Sequence, residues 1–296
     1  MLVAHVLAES FARHYQGKRI PEPDLVMENP ENVREYRDAG LVDGHGSSVY
    51  LLNLLLLCGA IRPGMKVLDL ACGPANLLVA LAEINPQAEF IGVDLSPEML
   101  RWAEELRAER GLNNLSFIRG DITNLTSLGD QSVDLVMSTL ALHHLPDLDL
   151  LQRCFEEMAR VTRPGGAIHL MDFAALKRTS TIRYFVRERV QGLGQFLADD
   201  YENSLRAAFR GEDFQNLLPV LQSTVASARL RKTFGIPFMV AVTSLKSSSL
   251  SPGHRQALHA YWERMQPAQR KDFDALRLFF RLSELHVPDP RHLLER

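Results

Sequence analysis

Cysteine is scarce: Cys58, Cys72 and Cys154 are the full set, an odd number with no C-x-x-C pair. That excludes a secreted disulfide framework and gives no metal-ligating spacing, and a reducing, cytoplasmic setting fits best. A basic excess is missing too. The formal net charge is -3, against the strong positive balance of a protein that lives on nucleic acid. Long apolar runs are absent: the greasiest stretch, Val49 to Ile61, is broken by Asn53 and Gly59 and is shorter than the roughly 20 residues a membrane helix needs. The opening residues Met1 to Ser10 lack a basic leader pattern, so no targeting segment and no membrane partner is expected. No repeat is visible, and the only biased stretch is Ser247 to Ser251, a candidate linker.

What is present is an ordinary globular composition: 296 residues, 46% hydrophobic and 23% charged, enough for one large domain with appendages or two compact ones. Charge is unevenly spread. Residues 1–150 carry 11 Lys/Arg against 21 Asp/Glu, and residues 151–296 carry 22 against 15. The second half could therefore face an anionic partner, or two solvated faces could simply meet.

Periodicity organises the middle of the chain. Before residue 47, Pro21, Pro23, Pro30, Gly40, Gly44 and Gly46 break the text into a short helix followed by loops, a possible lid. Ser47 to Ala60 reads as a helix apolar on almost every side. Strands are expected at 66–71, 89–94, 115–119, 133–138 and 167–172, alternating with helices at 76–84, from Pro97 to about Gly111, and from about Leu148 to Val161, with Arg163-Pro164-Gly165-Gly166 as a turn. Ser96-Pro97 supplies an N-cap and a first-turn proline. Strands joined by helical crossovers run parallel, so an α/β doubly wound sheet follows, with ligands at the carboxyl ends of its strands. A helical insert spans 174–222, then two strands at 228–234 and 238–243 form an antiparallel pair around Gly235-Ile236-Pro237. The expected organisation is residues 1–46 as an N-terminal segment, 47–243 as the main domain, and 244–296 as a helical extension.

Three strand ends carry candidate chemistry. The first strand runs through Asp69 into Ala71-Cys72-Gly73-Pro74-Ala75-Asn76, a small-residue loop entering a helix whose N-terminus can receive an anionic group. Asp94 ends the second strand 21 residues after Gly73, the spacing at which a carboxylate reaches ribose hydroxyls. Asp121 follows the third strand, placed for an adenine amino group. The loop lacks the three glycines of the dinucleotide fingerprint, and the Asp69 carboxylate would repel a pyrophosphate while suiting a ligand with ammonium and sulfonium charges. S-adenosyl-L-methionine has both. Each of these aspartates could instead cap a helix or turn.

With these motifs in order, Val67 to Asn76, Phe90 to Met99, Gly120-Asp121-Ile122, Val133 to Leu145 and Arg163 to Gly166, the chain resembles class I S-adenosylmethionine-dependent methyltransferases of the small-molecule type, over about residues 47–243. The resemblance implies a Rossmann-like seven-stranded sheet of order 3-2-1-4-5-7-6 with only strand 7 antiparallel, S-adenosyl-L-methionine as cofactor, and S-adenosyl-L-homocysteine as product. It implies that Asp69, Ala71 and Gly73 hold the methionyl end, Asp94 the ribose, Leu95 and Met99 the adenine faces, Asp121 and Ile122 its edge, with Thr139 beneath the methionyl group. The alternative for Leu95 and Met99 is plain core packing.

Beyond the fourth strand, Leu142-His143-His144-Leu145 offers a general base. His144 is the first choice, with Tyr36 as its expected partner by the resemblance; His143 is the neighbouring candidate and Asp172 another, all of which could serve structural ends. In the insert, Arg183, Tyr184 and Arg187 share a helical face, and with Tyr201 they could clamp an anionic or aromatic acceptor. Phe234 and Phe238 could line a pocket or fill core. The expected activity is methyl transfer to a small-molecule acceptor. A nucleic-acid methyltransferase, a non-catalytic cofactor-binding partner subunit and an NAD(P)-dependent oxidoreductase are the alternatives; the first lacks the Asn/Asp-Pro-Pro-Tyr/Phe sequence where this chain has Ser138-Thr139-Leu140-Ala141.

Overall fold

The central strands are mostly apolar because both of their faces are covered. In the computed structural model, which describes residues 2–189, 194–233, 238–245 and 249–295, these strands are β1 (Lys66–Leu70), β2 (Glu89–Asp94), β3 (Leu115–Arg119), β4 (Val133–Thr139), β5 (Thr162–Phe173), β6 (Arg229–Lys232) and β7 (Met239–Thr243). They form one sheet of order β3-β2-β1-β4-β5-β7-β6. β1 runs parallel to β2 and β4, and β7 runs antiparallel to both β5 and β6. The expected order and the single reversed strand are therefore observed. The hairpin turn at 235–237, Phe234 and part of the Ser247 stretch lie outside the described residues.

Alternation along each strand builds two cores. Val67, Leu135, Met137 and Ala241 point to one face, where α3 (Ser47–Leu57), α4 (Asn76–Ile84), α5 (Pro97–Glu109), α10 (Pro252–Arg264) and α11 (Pro267–Arg281) pack. Leu68, Val136, Leu170 and Val242 point to the other, beneath α6 (Leu148–Val161) and α9 (Gly211–Gln222). The greasiness of α3 has a cause. It is wedged between the sheet and the carboxy-terminal pair α10 and α11, so it has almost no solvent face, and Leu51, Leu52, Leu54 and Leu57 are fully buried.

Two expectations need correcting. The segment before residue 47 holds two helices, α1 (Leu2–Phe11) and α2 (Pro30–Ala39). Pro30 reads as a breaker but sits at the first helical position, after an Asn29 side chain that accepts from the Glu31 and Asn32 amides. Arg163 to Gly166 is not a separate turn but the start of β5: a register shift opposite Val133 and Leu135, with Gly165 at φ +78°, absorbs these residues into the strand. The insert after β5 forms α7 (Thr179–Arg189), α8 (Gln195–Ala207) and α9.

Candidate active site

The carboxyl ends of β1, β2 and β4 open into a cavity of about 320 Å³, roofed by residues 22–29 and by α2 and α8. The loop after β1 takes left-handed backbone at Ala71 (φ +54°), Gly73 (φ +55°) and Ala75 (φ +61°) before entering α4. Gly73 suits this left-handed backbone, while Tyr36 and Met99 stand beside it at ordinary van der Waals distance from where a Cβ would lie. Asp94 braces the loop: Oδ2 accepts from the Gly73 amide at 2.8 Å and Oδ1 from the Ser96 amide at 2.9 Å. Each oxygen keeps a lone pair for a ribose hydroxyl. Burial holds the Asp94 carboxyl above the usual range, against these amide hydrogen bonds.

Leu95, Met99, Asp121 and Ile122 line the same cavity, with Asp121 Oδ1 taken up by the Thr123 amide and hydroxyl at 2.8 Å each. The other Asp121 oxygen remains for an amino group. Ala71 and Gly73 also line it. Asp69 and Thr139 do not: Asp69 lies behind the loop, 5% exposed, with burial and then the Asp94 charge holding its carboxyl well above the usual range. The Thr139 hydroxyl is buried and has no hydrogen-bond partner.

The histidine pair divides in a way that spacing does not reveal. His143 is buried and is not part of the cavity lining, with Nδ1 2.6 Å from Asp172 Oδ1 and its amide donating to Asp172 Oδ2 at 3.1 Å. Burial alone would lower its pKa, but the Asp172 and Glu22 carboxylates outweigh that and raise it. Asp172 thus anchors His143 instead of facing an acceptor. His144 does line the cavity, together with Tyr36. Burial, and then the adjacent His143, push His144 down to about 3, so it is neutral at pH 7 and a poor holder of a proton. Burial holds the Tyr36 hydroxyl well above its usual range.

The expected substrate clamp is elsewhere. Arg183 and Arg187 are exposed on α7, Tyr184 stacks on His5 at 4.3 Å between ring centroids, and Tyr201 packs edge-on against Phe173 at 5.8 Å; none of the four lines the cavity. Phe238 packs on Phe185 and fills core. Sequence reading missed instead Glu22 from the N-terminal segment, and Phe196, Asp199, Asp200 and Asn203 from α8. The Ser204 hydroxyl donates to Glu22 Oε1 at 2.9 Å, and burial followed by the Glu22 charge pushes the Asp200 carboxyl up to about 6. Among the described residues, seven carboxylates and no lysine or arginine line this cavity. The positive charge gathers at a second cavity of about 320 Å³, lined by Lys18, Arg19, Lys177, Arg206 and Arg210.

A doubly wound sheet with this strand order, a glycine turn after β1, and acidic residues after β2 and β3 defines the nucleoside-binding methyltransferase class of fold. Comparisons agree. A family described as "Methyltransferase domain" matches residues 61–205. The chain is 34% identical over 146 residues to a demethylmenaquinone methyltransferase of Geobacillus stearothermophilus, covering 48% of this chain and 61% of that protein. It is 37% identical over 114 residues to an arsenite methyltransferase of Halobacterium salinarum, covering 38% of this chain and 28% of that protein. A solved S-adenosylmethionine-dependent methyltransferase of Aquifex aeolicus shares the fold with a TM-score of 0.51 at 18% identity, covering 74% of this chain and 100% of the other. The chain thus spans less than two thirds of the length of these two curated relatives. Residues 61–205, just under half of the chain, thus match a methyltransferase domain, and the fold is that of solved S-adenosylmethionine-dependent methyltransferases. No helix among the described residues is long and apolar enough to cross a membrane.

Proposed function

We propose that the chain transfers a methyl group from S-adenosyl-L-methionine to a small-molecule acceptor held between the roof and the loop after β4. The observation that carries this is the lining itself: a nucleoside end built from Gly73, Asp94, Met99 and Asp121, continuous with an acid-walled chamber without a fixed cation. A pyrophosphate would meet repulsion there, while a ligand with a cationic centre would not. The names of the relatives, demethylmenaquinone and arsenite methyltransferases, support a small acceptor. With Arg183 and Arg187 outside the lining, a neutral or cationic acceptor fits better than an anionic one.

The bound cofactor supplies an electrophilic methyl on a cationic sulfur, which leaves by in-line displacement. The protein's task is alignment, a near-attack geometry that can supply about 7 to 11 kcal/mol. Asp94 and the Gly73 turn fix the nucleoside, Tyr36 and Met99 flank it, and Phe196, Asn203 and His144 shape the acceptor space. His144 enters as a neutral hydrogen-bonding group rather than as the principal base. A proton lost by the acceptor has the Glu22 and Asp200 carboxylates at hand. Residues 22–29 act as a roof segment, held to the α5 N-terminus where the Ser96 hydroxyl donates to the Met27 carbonyl at 2.8 Å.

Thermal denaturation with S-adenosylhomocysteine and with NAD tests the reading. At about 100 times its dissociation constant a ligand adds about 2.7 kcal/mol to stability. S-adenosylhomocysteine should raise the melting temperature, NAD should not, and Asp94→Ala should abolish the rise. A shift with NAD alone would refute the assignment.

A further inference from the structure

We propose that Glu22, His143 and His144 bind one divalent transition-metal ion of the zinc class at the acceptor end of the cavity. The role of the ion toward an acceptor rests on the methyl-transfer reading above; the binding rests on the geometry of three side chains. One ligand atom from each lies within 4.8 Å of the other two. His143 Nε2 faces Glu22 Oε1 at 3.9 Å, beyond hydrogen-bond reach. Two ligand atoms about 2.1 Å from a shared ion stand about 3 to 3.5 Å apart, so an ion draws this pair together by less than about 1 Å. The His143 and His144 ring centroids are 4.4 Å apart. Two imidazoles bound to one tetrahedral ion have centroids about 5.2 Å apart, so binding would separate these rings by less than about 1 Å.

The surroundings are those of a metal site. Asp172 Oδ1 lies 2.6 Å from His143 Nδ1, placing a proton there and turning Nε2 toward Glu22 as a ligand. The Ser204 hydroxyl orients Glu22. Such carboxylate–histidine and hydroxyl–carboxylate pairs set ring orientation and ligand basicity in metal centres. Two imidazoles with one carboxylate suit zinc, cobalt or iron(II) better than magnesium or calcium, which take oxygen ligands. Glu22, Asp172 and Asp200 surround the position with negative charge. The nearby cation Arg19 spends its guanidinium on the carbonyls of His143, Leu145, Pro146 and Ala207. Glu22 and His144 line the cavity while His143 closes the site from behind, so three protein ligands occupy one side and the acceptor side stays open, as in catalytic rather than structural zinc sites. An acceptor oxygen or nitrogen entering that position would be oriented by the ion and made easier to deprotonate.

The test uses the untagged full-length chain, stripped with EDTA and titrated with Co²⁺ under visible absorption, then with Zn²⁺ in competition. The expected result is one ion per chain, displaced by Zn²⁺, with affinity at least about tenfold weaker in each of Glu22→Gln, His143→Gln and His144→Gln. Circular dichroism melting shows that each variant is folded. Absence of saturable Co²⁺ binding to the wild-type chain, or unchanged affinity in the folded variants, overturns the site. S-adenosylhomocysteine binding is measured on the same wild-type sample: its absence beside intact cobalt binding refutes the methyl-transfer reading and supports the ion site, and its presence without cobalt binding refutes the ion site alone.

Discussion

At the scale of single residues, backbone conformation and local bonding decide what each position can do. Ala75 holds a left-handed φ of +61° while 1% exposed, so it carries the conformational cost that a glycine would avoid. Ala75→Val should lower stability by about 1 to 3 kcal/mol in urea denaturation, because a β-branched side chain is strained there, and should weaken S-adenosylhomocysteine binding by distorting the loop. Asp94 and Asp121 are legible from sequence because strand ends and loop spacing fix them locally. Glu22 and Asp200 are not, since they meet only through the docking of two segments far apart in the chain. The histidines show a finer limit: of two adjacent residues in a short turn only His144 lines the cavity, and the position of Asp172 on β5 determines that His143 is the one anchored.

At the scale of elements, a buried polar bridge ties the sheet to α3. His169 of β5 is fully buried, with Nε2 2.8 Å from Asn53 Oδ1 on α3 and Nδ1 3.1 Å from Thr243 Oγ1 on β7. Burial pushes its pKa down to about 4. The unfolded chain binds a proton here below its ordinary value of about 6.5 while the native state does not, so stability falls as pH drops from 6.5 toward 4 and levels off below that. The contribution is on the order of 3 kcal/mol. Urea midpoints at pH 7.0 and pH 4.5 should differ by that much more in the wild-type chain than in His169→Gln. The alternation of strands and helices is readable because the central strands are short, mostly apolar runs; α2 is not, because its first-turn proline and polar surface give the same signals as a loop.

At the scale of the whole molecule, the carboxy-terminal extension completes the core of the methyltransferase fold. Phe273 of α11 is fully buried and meets Trp262 of α10 edge to face at 5.5 Å between centroids, above the apolar wall of α3. Phe273→Ala should cost about 3 to 5 kcal/mol. Its unfolding, followed by far-ultraviolet circular dichroism and by tryptophan fluorescence, should remain one coincident transition; two separate transitions would show that α10 and α11 fold apart from the sheet. Sequence marks the extension as helical but not as structural, because the need for it lies in the surplus apolar face of α3, about 200 residues earlier.

Arg19 closes carbonyl groups that belong to residues 143–146 and to Ala207, and the latter lies 188 positions further along the chain. During synthesis its partners therefore leave the ribosome long after it does. The leading segment must wait undocked while the strands that precede residue 207 collapse beneath it, and it seats as one of the late events of folding. The stretch around Arg19 is then open to proteases until residue 207 has been translated, and it is clasped once the two have met.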